Sequence, residues 1–266
     1  MKIGVIHYNF PGYSLEQFLD FVQETDYEYA ELQIGDVWDE KDPAAEPEKE
    51  AERVRRMLDD RRIQVSQVAA GNDFVLLDEE VVAFQVQRME RIGGLAKILG
   101  TNMIRTEGGR PKDEVPPDRW VEAMSGCLRR CLDFGEREDL YFAVDNHGLV
   151  TNDGDLQVKL FEAVGSKRVG ANLDTMNYRW FGHDLETVGR YYEIVAPYVL
   201  HTHLKDGIGS RSTYQGTVLG EGEIDLDKAI RCLKEAGYDG VWCVEYEGKE
   251  GAEGYRKSLP FLKAHL

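Results

Sequence analysis

The chain has 266 residues, with 49 acidic against 32 basic side chains, so its formal net charge is −17. Such a surface repels phosphate backbones and anionic lipids, which argues against nucleic acid and membranes as partners. A hydrophobic share of 42% can fill a sizeable core, and a length of 266 residues allows one large domain or two small ones.

The cysteines and the N-terminal segment indicate the compartment. Cys127 and Cys131 lie four residues apart on a predicted helix, with no further ligands nearby to complete a zinc site, so we expect reduced thiols. The segment MKIGVIHYNF lacks the long apolar stretch of a signal peptide, and no run reaches the length of a membrane span. Together these features predict a soluble, cytoplasmic protein.

Short apolar runs alternate along the chain with longer amphipathic runs. The short runs predict eight strands, over 2–8, 29–34, 63–70, 102–107, 141–147, 169–174, 199–206 and 241–247. The first helical run, SLEQFLDFVQET, begins with Ser14 as N-cap and has Gln17 at the capping-box position. Gly100, Gly165 and Gly237 stand where later helices are expected to end.

This alternation of strands and helices predicts a parallel sheet with helical crossovers. Eight such units in about 250 residues have the size of one barrel, so we predict an α/β fold with a single (β/α)8 TIM barrel domain over 1–266. A doubly wound sheet is the structural alternative. No glycine-rich dinucleotide fingerprint follows the first strand, where GVIHYNFPGYS stands instead.

Ionisable side chains follow the apolar part of four successive predicted strands. Barrel strands fill the interior with apolar side chains, and barrel enzymes carry their active sites at the carboxyl ends of the strands. Asp145, Asp174, His203 and Glu245 occupy these ends in strands five to eight. Three buried carboxylates would repel one another and bind protons unless a cation were present. The mixed oxygen and nitrogen donors predict a divalent ion, Mn²⁺ first, with Mg²⁺, Co²⁺ or Zn²⁺ as alternatives.

Each of these residues also has a purely structural interpretation. Asp145 and Asp174 could accept backbone hydrogen bonds in turns, and His203 could be a buried core histidine. Glu245 could form an ion pair with Lys205. The joint occurrence at four strand ends favours the metal site. His201 is interpreted as a packing residue or as one that supports a metal ligand.

The segments VDNHG, NLDTMNY, HTHLKDG, VLGEGEIDL and VWCVEYEG, in this order, resemble the sugar phosphate isomerase/epimerase family, whose fold is a xylose isomerase-like barrel. The resemblance implies one divalent ion, often Mn²⁺, held by Glu, Asp, His and Glu, and it assigns these places to Asp145, Asp174, His203 and Glu245. Asp145 departs from the family glutamate, which puts its direct catalytic use in doubt. Asn177 stands where ketose 3-epimerases of the family have histidine, which disfavours a free-ketose 3-epimerase.

A divalent ion that binds a carbonyl and the adjacent hydroxyl oxygen stabilises the enediolate formed when the carbon-bound proton leaves. The candidate acid–base residues are Glu245, His147, Lys205 and Asp145. Lys205 either polarises the carbonyl or acts as the base if burial lowers its pKa. The candidate ligands of sugar hydroxyls are Asn72, Arg105, Glu107, Asn177, Arg179 and Glu221.

The sequence therefore predicts a metal-dependent isomerase or epimerase of a carbohydrate or keto-sugar. A dehydratase or lyase that acts by β-elimination shares the same intermediate and is the first alternative. A non-catalytic sugar-binding or partner subunit is a remoter one, suggested by Asp145. Nuclease action on abasic DNA, known in a related barrel, would need three zinc ions and more histidines. Homo-oligomerisation is left open.

Overall fold

A computed structural model describes residues 2–266. Eight parallel strands close into a barrel in the order β1-β10-β7-β6-β5-β4-β3-β2. They are β1 Ile3–Ile6, β2 Tyr29–Gln33, β3 Gln64–Ala69, β4 Met103–Thr106, β5 Tyr141–Asp145, β6 Val169–Asp174, β7 Val199–Leu204 and β10 Trp242–Val244. Each strand lies within one of the predicted runs, and the predicted barrel is confirmed.

Helices surround the barrel and carry the connections between the strands. They are α1 Leu15–Gln23, α2 Pro47–Arg61, α3 Glu79–Leu99, α4 Trp120–Glu138, α5 Gly154–Val164, α6 Asn177–Phe181, α7 Leu185–Val195, α8 Leu226–Glu235 and α9 Ala252–His265. The predicted capping box is present, because the Ser14 hydroxyl accepts from the amide of Gln17 and the Gln17 side chain accepts from the amide of Ser14. Gly100 ends α3 in the left-handed conformation, with φ of 91°.

A two-stranded hairpin follows β7 and was not predicted. Strand β8 (Asp206–Ile208) pairs antiparallel with β9 (Gln215–Thr217), in the connection between the last two barrel strands, β7 and β10. The buried carboxylate of Asp206 accepts hydrogen bonds from the amides of Gly220 and Gly222 at 2.9 and 3.0 Å. Asp206 therefore fixes the loop beside the mouth of the barrel.

The barrel interior is polar, contrary to the apolar filling that the barrel fold led us to expect. Glu31, Gln67, Arg105, Asn172 and His201 are all buried and come from β2, β3, β4, β6 and β7. They are tolerated because they bind one another, as buried polar groups must. The apolar core lies instead between the strands and the surrounding helices.

The four cysteines are free thiols, and burial raises the pKa of Cys127 to about 12. Among residues 2–266, no helix is both long and apolar enough to cross a membrane.

Gly170 in β6 allows a close approach of the neighbouring backbone. A Cβ at this position would lie 2.1 Å from the carbonyl oxygen of Tyr198. Replacing Gly170 by alanine is therefore expected to lower the free energy of unfolding by about 3 kcal/mol, measured by urea denaturation. Gly94→Ala in α3 is the matched control, because its Cβ would meet nothing within 4 Å, and it is expected to stabilise the chain by roughly 1 kcal/mol. Equal effects of the two substitutions would contradict this packing argument.

Candidate active site

Three side chains converge at the carboxyl ends of β6, β7 and β10. Asp174 is the last residue of β6, His203 lies in β7, and Glu245 follows β10 directly. One ligand atom from each lies within 4.8 Å of the other two, and all three residues are buried. Parallel strands bring these residues together because all their carboxyl ends meet at one face of the barrel.

Two atoms of this group have no hydrogen-bond partner among residues 2–266. Asp174 Oδ1 accepts from the amides of Met176 and Asn177, both at 2.8 Å, whereas Asp174 Oδ2 accepts no hydrogen bond. His203 Nδ1 lies 2.8 Å from Glu245 Oε2 but forms no hydrogen bond there. Both atoms face an opposite charge instead, Asp174 Oδ2 with Lys205 Nζ and His203 Nδ1 with Glu245 Oε2, and neither is saturated by hydrogen bonds, so both remain open to a cation. Asp174, His203 and Glu245 thus provide a donor set suited to a divalent ion.

Lys205 lies beside the same acidic groups. Its Nζ atom is 2.9 Å from Asp174 Oδ2, 3.2 Å from Glu245 Oε1 and 3.5 Å from Glu247 Oε2. Burial alone lowers the pKa of Lys205, but the charges of Asp174 and Glu245 raise it well above its usual value. Lys205 is therefore a charged donor. Of the two roles considered for Lys205, this raised pKa favours polarisation of the carbonyl over action as a base, because the surrounding carboxylates outweigh its burial.

Asp145 is engaged by other side chains. Its Oδ2 accepts from Nη2 and Nε of Arg105 at 2.6 and 3.0 Å, and its Oδ1 accepts from Asn172 at 2.8 Å. Burial alone raises the pKa of Asp145, but Arg105 holds it below its usual range. The group formed by Asp174, His203 and Glu245 does not include Asp145 within residues 2–266. The shorter side chain thus forms an ion pair where the family resemblance implies a metal ligand.

Burial and charge act in opposite directions on His203 and Glu31. Burial lowers the pKa of His203, yet the carboxylates of Glu31 and Glu245 raise it to about 10. Burial raises the pKa of Glu31, yet His203 and Arg105 lower it to about 2. His203 is therefore charged in the metal-free protein, and a metal ion must displace a proton to bind this side chain.

His147, the remaining predicted acid–base residue, and His201, the other histidine of β7, lie farther from the group of Asp174, His203 and Glu245. The side chain of His147 is half exposed at the rim, and its Nδ1 is 3.8 Å from Asp145 Oδ2. His201 is buried, with Nδ1 2.8 Å from Asn172 Oδ1. Burial lowers the pKa of His201 to about 3, so its ring is neutral. His201 belongs to the polar interior, next to Glu31 and Cys243.

The six residues predicted to bind sugar hydroxyls are placed differently from one another. Asn72 uses both ends of its amide on the backbone of Glu107, and Arg105 binds Asp145. Arg179 pairs with Glu223 at 2.6 Å. Glu107 is one-third exposed and lies 3.9 Å from Arg105. Asn177 is buried at the start of α6. Glu221 is exposed beside a cavity of about 340 Å³, which Glu247 also lines. Asn72 and Arg179 thus hold loops together. Three of the six are more than slightly exposed: Glu107, Glu221 and Arg179, which is paired.

Four residues of the site were missed in the sequence. Glu31, Gln67 and Asn172 form the polar interior below the rim, and Asn9 donates to Glu245 Oε1 at 3.1 Å. Polar residues inside apolar strands, as in YAELQ and QVSQVA, were the available signal. The expectation of an apolar barrel interior directed the prediction to strand ends and loops instead.

Solved structures with the same fold include several enzymes. The IolI protein, solved with a bound zinc atom, is 18% identical with a TM-score of 0.81, and the match covers 99% of this chain and 97% of that one. D-psicose 3-epimerase from Clostridium cellulolyticum H10, solved with D-tagatose, is 14% identical with a TM-score of 0.79 over 100% and 99% of the two chains. The probable 3-DHS dehydratase AsbF from Bacillus anthracis is 16% identical with a TM-score of 0.74 over 99% of each chain. At such identities the likeness shows the fold alone.

Comparison of the sequence with known sequences and families gives a match to one family. No curated protein sequence matches the chain significantly. The profile of one family matches residues 19–265, which is nearly the whole chain. By this match, the chain belongs to the family of the xylose isomerase-like TIM barrel.

Proposed function

We propose that the protein is a divalent-metal-dependent isomerase or epimerase that acts on a carbohydrate or keto-sugar by removing a proton α to a carbonyl. The observation that carries the proposal is the group of Asp174, His203 and Glu245, with ligand atoms within 4.8 Å of one another. Structural neighbours that are named as a sugar epimerase and a dehydratase agree with this class of chemistry.

Asp174, His203 and Glu245 would hold the metal ion, with Mn²⁺ as the first choice for two carboxylates and one imidazole. The bound ion would supply electrostatic stabilisation of the negative charge that develops on the substrate oxygens. Asp145 stays outside this set in our proposal, because Arg105 and Asn172 occupy its carboxylate. It orients Arg105 at the base of the site.

Three side chains take part in proton transfer and in stabilising the oxyanion: Glu245, Lys205 and His147. Burial alone raises the pKa of Glu245, but Lys205 and His203 hold it well below its usual value, so the carboxylate is ionised and can accept a proton. Lys205 is charged and lies 3.2 Å from Glu245 Oε1, where it can donate to a developing oxyanion. His147 at the rim is the candidate for returning a proton to the opposite face of the substrate carbon.

The charges around the site favour a neutral substrate. Six carboxyl groups line it, against three cationic side chains, Arg105, Lys205 and His203. One divalent ion does not give the site a net positive charge. We therefore expect kcat/KM for a keto-sugar to exceed that for its phosphate ester by at least about tenfold, because like charges repel in a buried site. Preference for the phosphate ester in a steady-state comparison of the two would contradict this.

The reaction class is tested by proton NMR in D₂O with the protein loaded with Mn²⁺ and then freed of excess paramagnetic ion. We expect a panel of keto-sugars and polyol ketones to contain a substrate that exchanges its α-proton for deuterium. A new sugar indicates isomerisation or epimerisation, whereas a new enone indicates the alternative, β-elimination. Absence of exchange with every compound would overturn both.

Metal removal gives a separate expected result. Treatment with a chelator is expected to lower the exchange rate by at least about 100-fold, since a bound ion contributes several kcal/mol to such a step, and added Mn²⁺ is expected to restore it. Elemental analysis after loading should find close to one ion per chain. Full activity in the chelated protein, with no ion detected, would exclude metal dependence.

A further inference from the structure

Glu31 lies in the middle of β2, and its side chain is fully buried inside the barrel. Its two oxygens have different partners. Oε2 lies 2.6 Å from His203 Nε2 and accepts from Gln67 at 2.8 Å, while Oε1 accepts from Arg105 Nη1 at 3.3 Å. A buried carboxylate requires such partners, but their distribution over the two oxygens indicates a more specific task.

An imidazole can bind a metal ion only through a nitrogen that carries no proton. Glu31 Oε2 is an acceptor, so Nε2 of His203 must carry its proton to make the 2.6 Å contact. The other nitrogen, Nδ1, is then free to lose its proton, and it is Nδ1 that lies 2.8 Å from Glu245 Oε2. Glu31 thus determines which nitrogen of His203 faces the acidic group.

A simpler role, in which Glu31 only neutralises Arg105, agrees less well with these distances. Arg105 already donates twice to Asp145, at 2.6 and 3.0 Å, and its contact with Glu31 is the longest of the three. Gln67 fixes the oxygen that faces His203 and also donates to Asn172 Oδ1 at 3.0 Å. The carboxylate is therefore held in the orientation that serves the imidazole.

We propose that Glu31 is the positioning residue of His203, and that it keeps Nε2 protonated so that Nδ1 is directed to the metal ion. This proposal rests on the proposed function, because it takes His203 as a metal ligand. Carboxylates that hydrogen-bond a ligating histidine in this way raise metal affinity by about 10- to 100-fold in characterised proteins.

The first test compares metal binding in two variants by isothermal titration calorimetry with Mn²⁺. Glu31→Gln removes the charge and keeps the volume, and its Kd for Mn²⁺ is expected to rise by about 10- to 100-fold. Glu40→Gln is the control, because it removes a carboxylate that pairs with Arg88 outside the site, and its Kd is expected to change less than about threefold. Thermal unfolding of the metal-free proteins verifies that both variants fold.

The second test uses the wild-type chain and does not depend on any variant folding. With ¹⁵N-labelled histidine and diamagnetic Zn²⁺, long-range ¹H–¹⁵N spectra are expected to show His203 with Nε2 protonated and Nδ1 bound to the metal. The His203→Gln spectrum assigns the signal. Binding through Nε2, or a Kd of Glu31→Gln within threefold of wild type, would overturn the role of Glu31 alone. Failure of the wild type to bind any divalent ion would overturn the proposed function as well.

Discussion

Replacing Asp174 by asparagine is expected to abolish divalent-ion binding while leaving the barrel folded. Asn keeps a carbonyl oxygen that can accept from the amides of Met176 and Asn177, as Asp174 Oδ1 does at 2.8 Å. The amide nitrogen then replaces Oδ2, the atom without a hydrogen bond that faces Lys205. An amide nitrogen has no free electron pair to offer a cation, so both the ligand charge and the ligand atom are lost at this position.

For Asp174→Asn we expect the Kd for Mn²⁺ to rise by more than about 100-fold. Substrate proton exchange is expected to fall by at least about 1,000-fold, because the whole contribution of the ion to this step is lost. Calorimetry measures the first and NMR in D₂O the second. Glu247→Gln is the control, because Glu247 is one-third exposed, lies outside the group of three ligands, and is 3.5 Å from Lys205. If Asp174→Asn bound Mn²⁺ as tightly as the control, Asp174 would not be a ligand.

The largest expected effect on stability belongs to Arg105→Met. Arg105 is buried and binds both Asp145 and Glu31, so its removal leaves Asp145 without its buried cation and Glu31 with His203 alone. Loss of one partner from a buried ion pair costs about 3–5 kcal/mol, which we expect as the decrease in the free energy of unfolding of the metal-free protein. Urea denaturation followed by circular dichroism measures it.

The loss of stability in Arg105→Met is expected to depend on pH. Arg105 holds the pKa of Asp145 below its usual range, so the pair contributes stability above the unfolded-state pKa of about 3.9, and this contribution is lost as the pH falls through the lower folded-state pKa. The difference between wild type and Arg105→Met is therefore expected to be largest near neutral pH and to shrink towards acidic pH. Arg190→Met is the control, because its pair with Asp155 is half exposed and should contribute little to stability at any pH. Equal losses at all pH values would show that packing, not charge, explains the effect.

The barrel was predictable because its signal is local and repeated. Eight apolar runs of strand length, each followed by an amphipathic run, leave few arrangements other than a closed parallel sheet. The cap at Ser14 and the left-handed Gly100 follow from chemistry within one or two turns of the chain. The hairpin of β8 and β9 was missed because its strands are three residues long and lack the apolar pattern of the barrel strands.

The sequence by itself determined the barrel, the family and the strand ends at which Asp174, His203 and Glu245 lie. These depend on periodicity and on the direction of parallel strands, which a single chain displays directly. Only the tertiary structure decided which partner each polar side chain takes. Arg105 binds Asp145 across 40 residues of sequence, and Glu31 reaches His203 across 172. Such pairs depend on side-chain direction inside a closed barrel, where every strand brings polar atoms to the same small volume, and no spacing along the chain specifies which of them meet.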